Sequence, residues 1–244
     1  MDVRERGFAA AVVLALGVAV AGAFVGLGFL RGRQADRFVT VNGVSERAVR
    51  ADLALWPIRL VATDNILATA QDELADSTRA VYAFLVRHGV DTAQVELQEL
   101  SVADQLANRY GERGTGPRYI VNQTVMVRSA EPDVVFAASQ NVGELVAAGV
   151  AITSGLEFGP GGPVFLFNSL NALKPAMIAE ATASAREAAE QFARDAGARL
   201  GGIRQANQGV FVILPRDQAP GIREDQQIAK IVRVVATLEY LLER

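Results

Sequence analysis

Cysteine is absent from this 244-residue chain, and histidine occurs once, at His88. The first absence excludes disulfides, thiol nucleophiles and thiolate metal sites. The second excludes a multi-histidine metal centre, and a Ser-His-Asp mechanism would have to use His88. Lysine is confined to Lys174 and Lys230, so arginine supplies nearly all the positive charge. The net charge is −3 and no basic cluster rises above the scattered arginines, which argues against nucleic acid as a partner.

Charge is also missing from Phe8 to Leu30 (FAAAVVLALGVAVAGAFVGLGFL). At about 1.5 Å per residue this run would span roughly 34 Å as a helix, enough for a hydrocarbon core of about 30 Å. Arg4 and Arg6 precede it and Arg31, Arg33 and Arg37 follow, so the flanking charges nearly cancel and do not set a topology. Ala21-Gly22-Ala23 has the form of a cleavage site, which keeps a secretory signal peptide as the alternative. Against it, the apolar run continues past Ala23, whereas a signal h-region is usually about 7–15 residues long. The expected organisation is a tail over residues 1–7, a transmembrane anchor over 8–30, a linker over 31–37 and one domain over 38–244.

Within the domain, Phe38–Ser45 reads as a strand with a bend or bulge at Asn42-Gly43. Val49–Ala62 reads as a longer strand with Leu53, Leu55 and Val61 on one face; Pro57 lacks a ladder donor and predicts an edge or a bulge. A helix is expected from Asp64 to His88, capped by Thr63 or Asp64 and ended by Gly89. Its apolar positions Leu67, Ala70, Leu74, Val81, Phe84 and Leu85 recur at helical spacing.

Val95–Leu106 and Tyr119–Ser129 follow as an antiparallel pair around a polar, glycine-rich loop, Asn108–Arg118. Pro132 opens a helix to about Ala148. Gly149–Phe158 and Val164–Phe167 read as a hairpin, and a helix over about Leu170–Ala196 tolerates Pro175 only in its first turn. Val210–Leu214 and Ile228–Leu242 complete the strands, with Val232, Val234, Ala236, Leu238 and Tyr240 on one face. The predicted class is α+β: mostly antiparallel sheet with helices packed on it, in repeating strand-strand-helix units, preceded by one transmembrane helix.

Three segments carry a family resemblance. Arg37–Leu60 (RFVTVNGVSERAVRADLALWPIRL) resembles the opening of SIMPL-domain (DUF541) proteins, with Gly43, Ala51 and Asp52 matching. Tyr119-Ile120-Val121-Asn122 is similar to that family's Tyr-x-x-Asn strand. The Ala-rich helix Ala176–Ala196, with Gly197 and Leu200-Gly201 after it, resembles the C-terminal signature. The resemblance implies a bacterial envelope or periplasmic protein with α+β domains that in some members assemble into rings, linked to envelope and oxidative-stress physiology. It implies no catalytic residues. Many members carry a cleavable signal, and the long apolar run here departs from that pattern.

Candidate chemistry is sparse. Glu46 and Asp52 could be paired carboxylates, but read better as a turn residue and a bend-fixing residue. Ser169 and Lys174 could form a Ser–Lys pair, but Ser169 reads as a helix N-cap. His88 reads as a helix-end imidazole. Neither Asn108–Arg118 nor Gly159–Pro163 has a phosphate-loop pattern. No catalytic, cofactor-binding or metal-binding residues are therefore expected.

The expected protein is a non-enzymatic, single-pass protein of the bacterial inner membrane with its domain in the periplasm. Its partners would be copies of itself, the bilayer through the N-terminal helix, and other envelope proteins. Exposed strand edges and the Ala-rich helix would dock neighbouring copies. The alternative is a monomeric ligand- or protein-binding sensor whose loops Asn108–Arg118 and Asp217–Gln227 hold a partner.

Overall fold

A computed structural model of the chain describes residues 14–27, 37–107, 116–153 and 161–243. Residues 14–27 form a helix, α1. The remaining bounds of the predicted anchor lie outside the described residues, and among those described no helix is long and apolar enough to cross a membrane. The chain divides into two compact units: Met1–Ser45 with Ala176–Phe211 and Val234–Arg244, and Glu46–Pro175 with Val212–Arg233.

The second unit is built on a four-stranded antiparallel sheet in the order β3-β4-β2-β5. Its strands are β2 (Leu53–Asp64), β3 (Val95–Asp104), β4 (Tyr119–Ser129) and β5 (Val164–Leu166). Helices α2 (Leu67–Arg87), α3 (Pro132–Gln140) and α4 (Gly143–Ala147) pack on it. The buried residues of β2 are Ala54, Trp56, Ile58, Leu60 and Ala62. The expected apolar set, Leu53, Leu55 and Val61, shares the opposite face and is only half-buried. Both faces of β2 are apolar, so alternation alone could not say which one the helices cover.

Pro57 is tolerated for a local reason. The amide of Val61 and the carbonyl of Arg59 bond to residues 151 and 153, on the β5 side of the strand. Alternation turns the Pro57 nitrogen to that same side, where β5 reaches only Leu53–Leu55, so no bond to β4 is lost. The segment Val164–Leu166 pairs with β2 rather than closing a hairpin with Gly149–Phe158. Of that predicted strand, 149–153 contribute one isolated bridge, Leu60–Ile152, and the rest lies outside the described residues.

α2 starts later than expected. Ile66 occupies the N-cap without a side-chain bond, while the Asp64 carboxylate accepts from the Ile66 amide at 2.7 Å. Its end is as read: Gly89 has φ +74°, a left-handed conformation that glycine adopts without strain. The helix predicted from Pro132 to about Ala148 is interrupted into α3 and α4, with the Asn141 side-chain Nδ2 donating to the Ala137 carbonyl at the break.

In the first unit, β1 (Phe38–Arg50, its first residues), β8 (Ala229–Glu243, its later residues) and β6 (Arg199–Gln208) form antiparallel sheet in the order β1-β8-β6. Helix α5 (Leu170–Asp195) contributes its length from Ala176 onward. β1 is longer than expected and runs straight through Asn42-Gly43 with strict alternation of exposure. Gly43 is there for close approach, not for a bend. A Cβ at that position would lie 1.8 Å from the Ala181 carbonyl oxygen and 2.5 Å from the Ala185 nitrogen. The alanines at 181, 185, 189 and 193 are buried at i, i+4 spacing, so helix and strand touch almost backbone to backbone.

β6 is absent from the expectations because its sequence, RLGGIRQANQ, shows no apolar alternation; it is a largely exposed edge strand with two register slips. Pro175 sits in the second turn of α5 rather than the first. β7 (Val212–Pro215) pairs with the start of β8, inside the second unit.

Candidate functional site

Of the singled-out residues, the structure brings Asp52 and Ser169 together, while Glu46 and His88 lie against other groups. Glu46 lies 3.3 Å from the Arg233 guanidinium, as an exposed ion pair. Asp52 is occupied elsewhere: its carboxylate accepts from the amides of Asn168 and Ser169, both at 2.8 Å, and from the Ser169 hydroxyl at 2.6 Å. Burial raises its pKa, and these three bonds outweigh that and hold it below the usual aspartate range. Asp52 thus fixes the turn into α5. Ser169 gives its proton to Asp52, not to a lysine.

His88 closes α2 with its ring 4.5 Å from that of Phe84. Its Nε2 lies 3.3 Å from Glu144 Oε1, within ion-pair reach, yet no aligned hydrogen bond forms there. The contact lies at the edge of the core.

The two loops assigned to a binding role differ in what is visible. Residues 108–115 of the first lie outside the described residues, but its base is clamped. Arg118 bonds Asp104 at 2.9 Å and holds that carboxyl below the usual range, and the Gln105 amide reaches the Arg118 carbonyl. The loop 217–227 is folded back on its own strands. Its Asp217 amide donates to Gln227 Oε1, and the fully buried Lys230 donates to the Glu224 carbonyl at 2.6 Å and contacts its carboxylate. Lys230 is a loop anchor, a role its composition alone did not indicate.

A different place carries a built cleft, on the face of the β3-β4-β2-β5 sheet turned away from the helices. It holds about 350 Å³ and is walled by Arg59, Glu99, Ser101, Asn122, Thr124 and Thr153. Arg59 of β2 stands directly opposite Thr124 of β4. Glu99 reaches Thr124 from the other side, with the hydroxyl donating to Glu99 Oε2 at 3.4 Å. A β-bulge between Gln98 and Ser101 puts Glu99 there, with φ +53°, a left-handed conformation unfavourable for a residue with a Cβ. Thr124 is 5% exposed although it lies on the uncovered face.

Sequence reasoning missed Glu99 and Arg59. The signal was present: the apolar positions Val95 and Leu97 change phase at Leu100 and Val102, as an inserted residue requires. Asn122, the last residue of the Tyr-x-x-Asn motif, lines this cleft.

A family model described as "SIMPL: Protein of unknown function (DUF541)" matches residues 39–232. The chain belongs to the SIMPL family. The match runs from β1 into β8 and bears out the family resemblance read from the sequence. Among curated proteins none matches. Two solved structures from Listeria innocua are similar in part. One, an uncharacterized conserved protein, is 11% identical, covers 78% of this chain and 91% of its own, and has a TM-score of 0.23. The other, described as a hydrolase, is 10% identical, covers 78% and 90%, and has a TM-score of 0.22. At these TM-scores neither carries an argument about this chain.

Proposed function

We propose that this SIMPL protein is a non-enzymatic, single-pass component of the bacterial inner membrane whose periplasmic domain assembles with copies of itself, in envelope or oxidative-stress physiology. The supporting observation is the contrast among its long edge strands, β1, β3 and β6. β3 and β6 are both broken by bulges, a usual means of blunting an edge against pairing. Phe38–Ser45 of β1 is an edge that alternates strictly in exposure and leaves Phe38 and Val44 exposed. An edge of this kind is a ready template for another strand, and closed symmetric association is one way of covering it. The Ala-rich face of α5 is not available for that purpose, because its alanines are buried against the strands of their own unit. Assembly in this reading therefore runs through β1, and the apolar run 8–30 tethers each copy to the bilayer.

The experiment is light scattering of the full chain in detergent. A particle mass several times the 26.0 kDa of one chain, falling to that of one chain in Val44→Pro, supports the reading. A parent protein that stays monomeric at micromolar concentration overturns it.

A further inference from the structure

We infer that the cleft on the open face of the β3-β4-β2-β5 sheet binds a small zwitterion of the α-amino-acid class between Arg59 and Glu99. Its volume, about 350 Å³, lies within the range of small-molecule sites. Its polar groups are of the kinds such a ligand needs. Thr124 lies between the two charged residues, opposite Arg59 in register and bonded to Glu99. A guanidinium recognises a carboxylate and a carboxylate recognises an ammonium group. Ser101, Asn122 and Thr153 add neutral donors and acceptors around them, and Leu100, exposed at the bulge, offers an apolar rim to a side chain. The two opposite charges disfavour a ligand carrying charge of one sign only.

The backbone at Glu99 points the same way. A glutamate at φ +53° is held against its own preference, and glycine would occupy that position without the steric cost. Strain of this sort persists where the surrounding structure enforces it, and it is concentrated at ligand sites. Here it places a carboxylate beside the nearly buried hydroxyl of Thr124. The inference concerns a single copy and does not depend on assembly.

Calorimetric titration of the full chain in detergent with the free α-amino acids tests it. The expected result is saturable binding of at least one of them at millimolar concentration or below. N-acetylation or α-amidation of that ligand should each weaken binding by about 10-fold or more, as should Glu99→Gln and Arg59→Met. Glu99→Gly separates ligand recognition from folding: it should raise the thermal midpoint while abolishing binding. No heat from any free amino acid overturns the inference. So does a blocked derivative that binds as well as its parent, or a Glu99→Gly protein that binds undiminished.

Discussion

The two units of this molecule solve the same packing problem in opposite ways. In the unit holding β2 and α2 the core is made of bulk: Trp56, Ile58, Leu60, Phe84 and Phe165 are buried together with Val121, Val125 and Val127 of β4 and Val81 and Val135 of the helices. Trp56 and Phe84 meet edge to face with centroids 6.4 Å apart. In the unit holding most of α5 the core is made by removing side chains. Val41, Leu238 and Tyr240 pack with Ala185 and Ala189, and Gly43 lets the helix backbone approach the strand. The lesson is that stability can rest on side-chain volume in one place and on its absence in another, so the damaging substitutions have opposite directions.

That comparison can be broken by experiment. The largest effect expected is from Phe84→Ala, which deletes a fully buried ring and should cost about 4 kcal/mol in denaturant unfolding. The same large-to-small logic has no target at Gly43, where the change that matters is the smallest addition. Gly43→Ala should cost about 3 kcal/mol, because the obstructing atoms are backbone and cannot turn aside. A Gly43→Ala protein as stable as its parent would show that α5 is not held against β1.

The smallest effect separates polar from apolar support. Asp52→Asn should cost about 1 kcal/mol, the usual scale for a lost helix-end acceptor. The sign of its pH dependence follows from the lowered pKa of Asp52. Its contribution is present above the unfolded aspartate value and disappears as pH falls through the lower folded value. Acid titration of unfolding free energy should therefore show a smaller loss in Asp52→Asn than in the parent. An identical slope in both proteins would remove Asp52 as the group that secures the turn into α5.

Periodicity was legible where one face alone is apolar. β8 buries Val232, Val234, Ala236, Leu238 and Tyr240 as its alternation requires, and β4 buries Val121, Val125 and Val127. It failed where the pattern carries no contrast. β2 is apolar on both faces, and β6 is polar on both. Gly43 illustrates a different limit: its reason lies in Ala181 and Ala185, far away in sequence and adjacent only after folding.

Composition and local pattern by themselves determined the class of this protein, its family signature, the long apolar N-terminal run and the exclusion of thiol and multi-histidine chemistry, because each depends on which residues are present and at what spacing. Tertiary structure alone decided which face of β2 is the core, that the Ala-rich helix is used up inside its own unit, and that Arg59, Thr124 and Glu99 share a cleft. The physical reason is register. A one-residue bulge in β3, which the phase change along that strand announces, turns Glu99 onto a face it would not otherwise line; which side chains of β4 and β2 it meets there is set by strand pairing across the sheet.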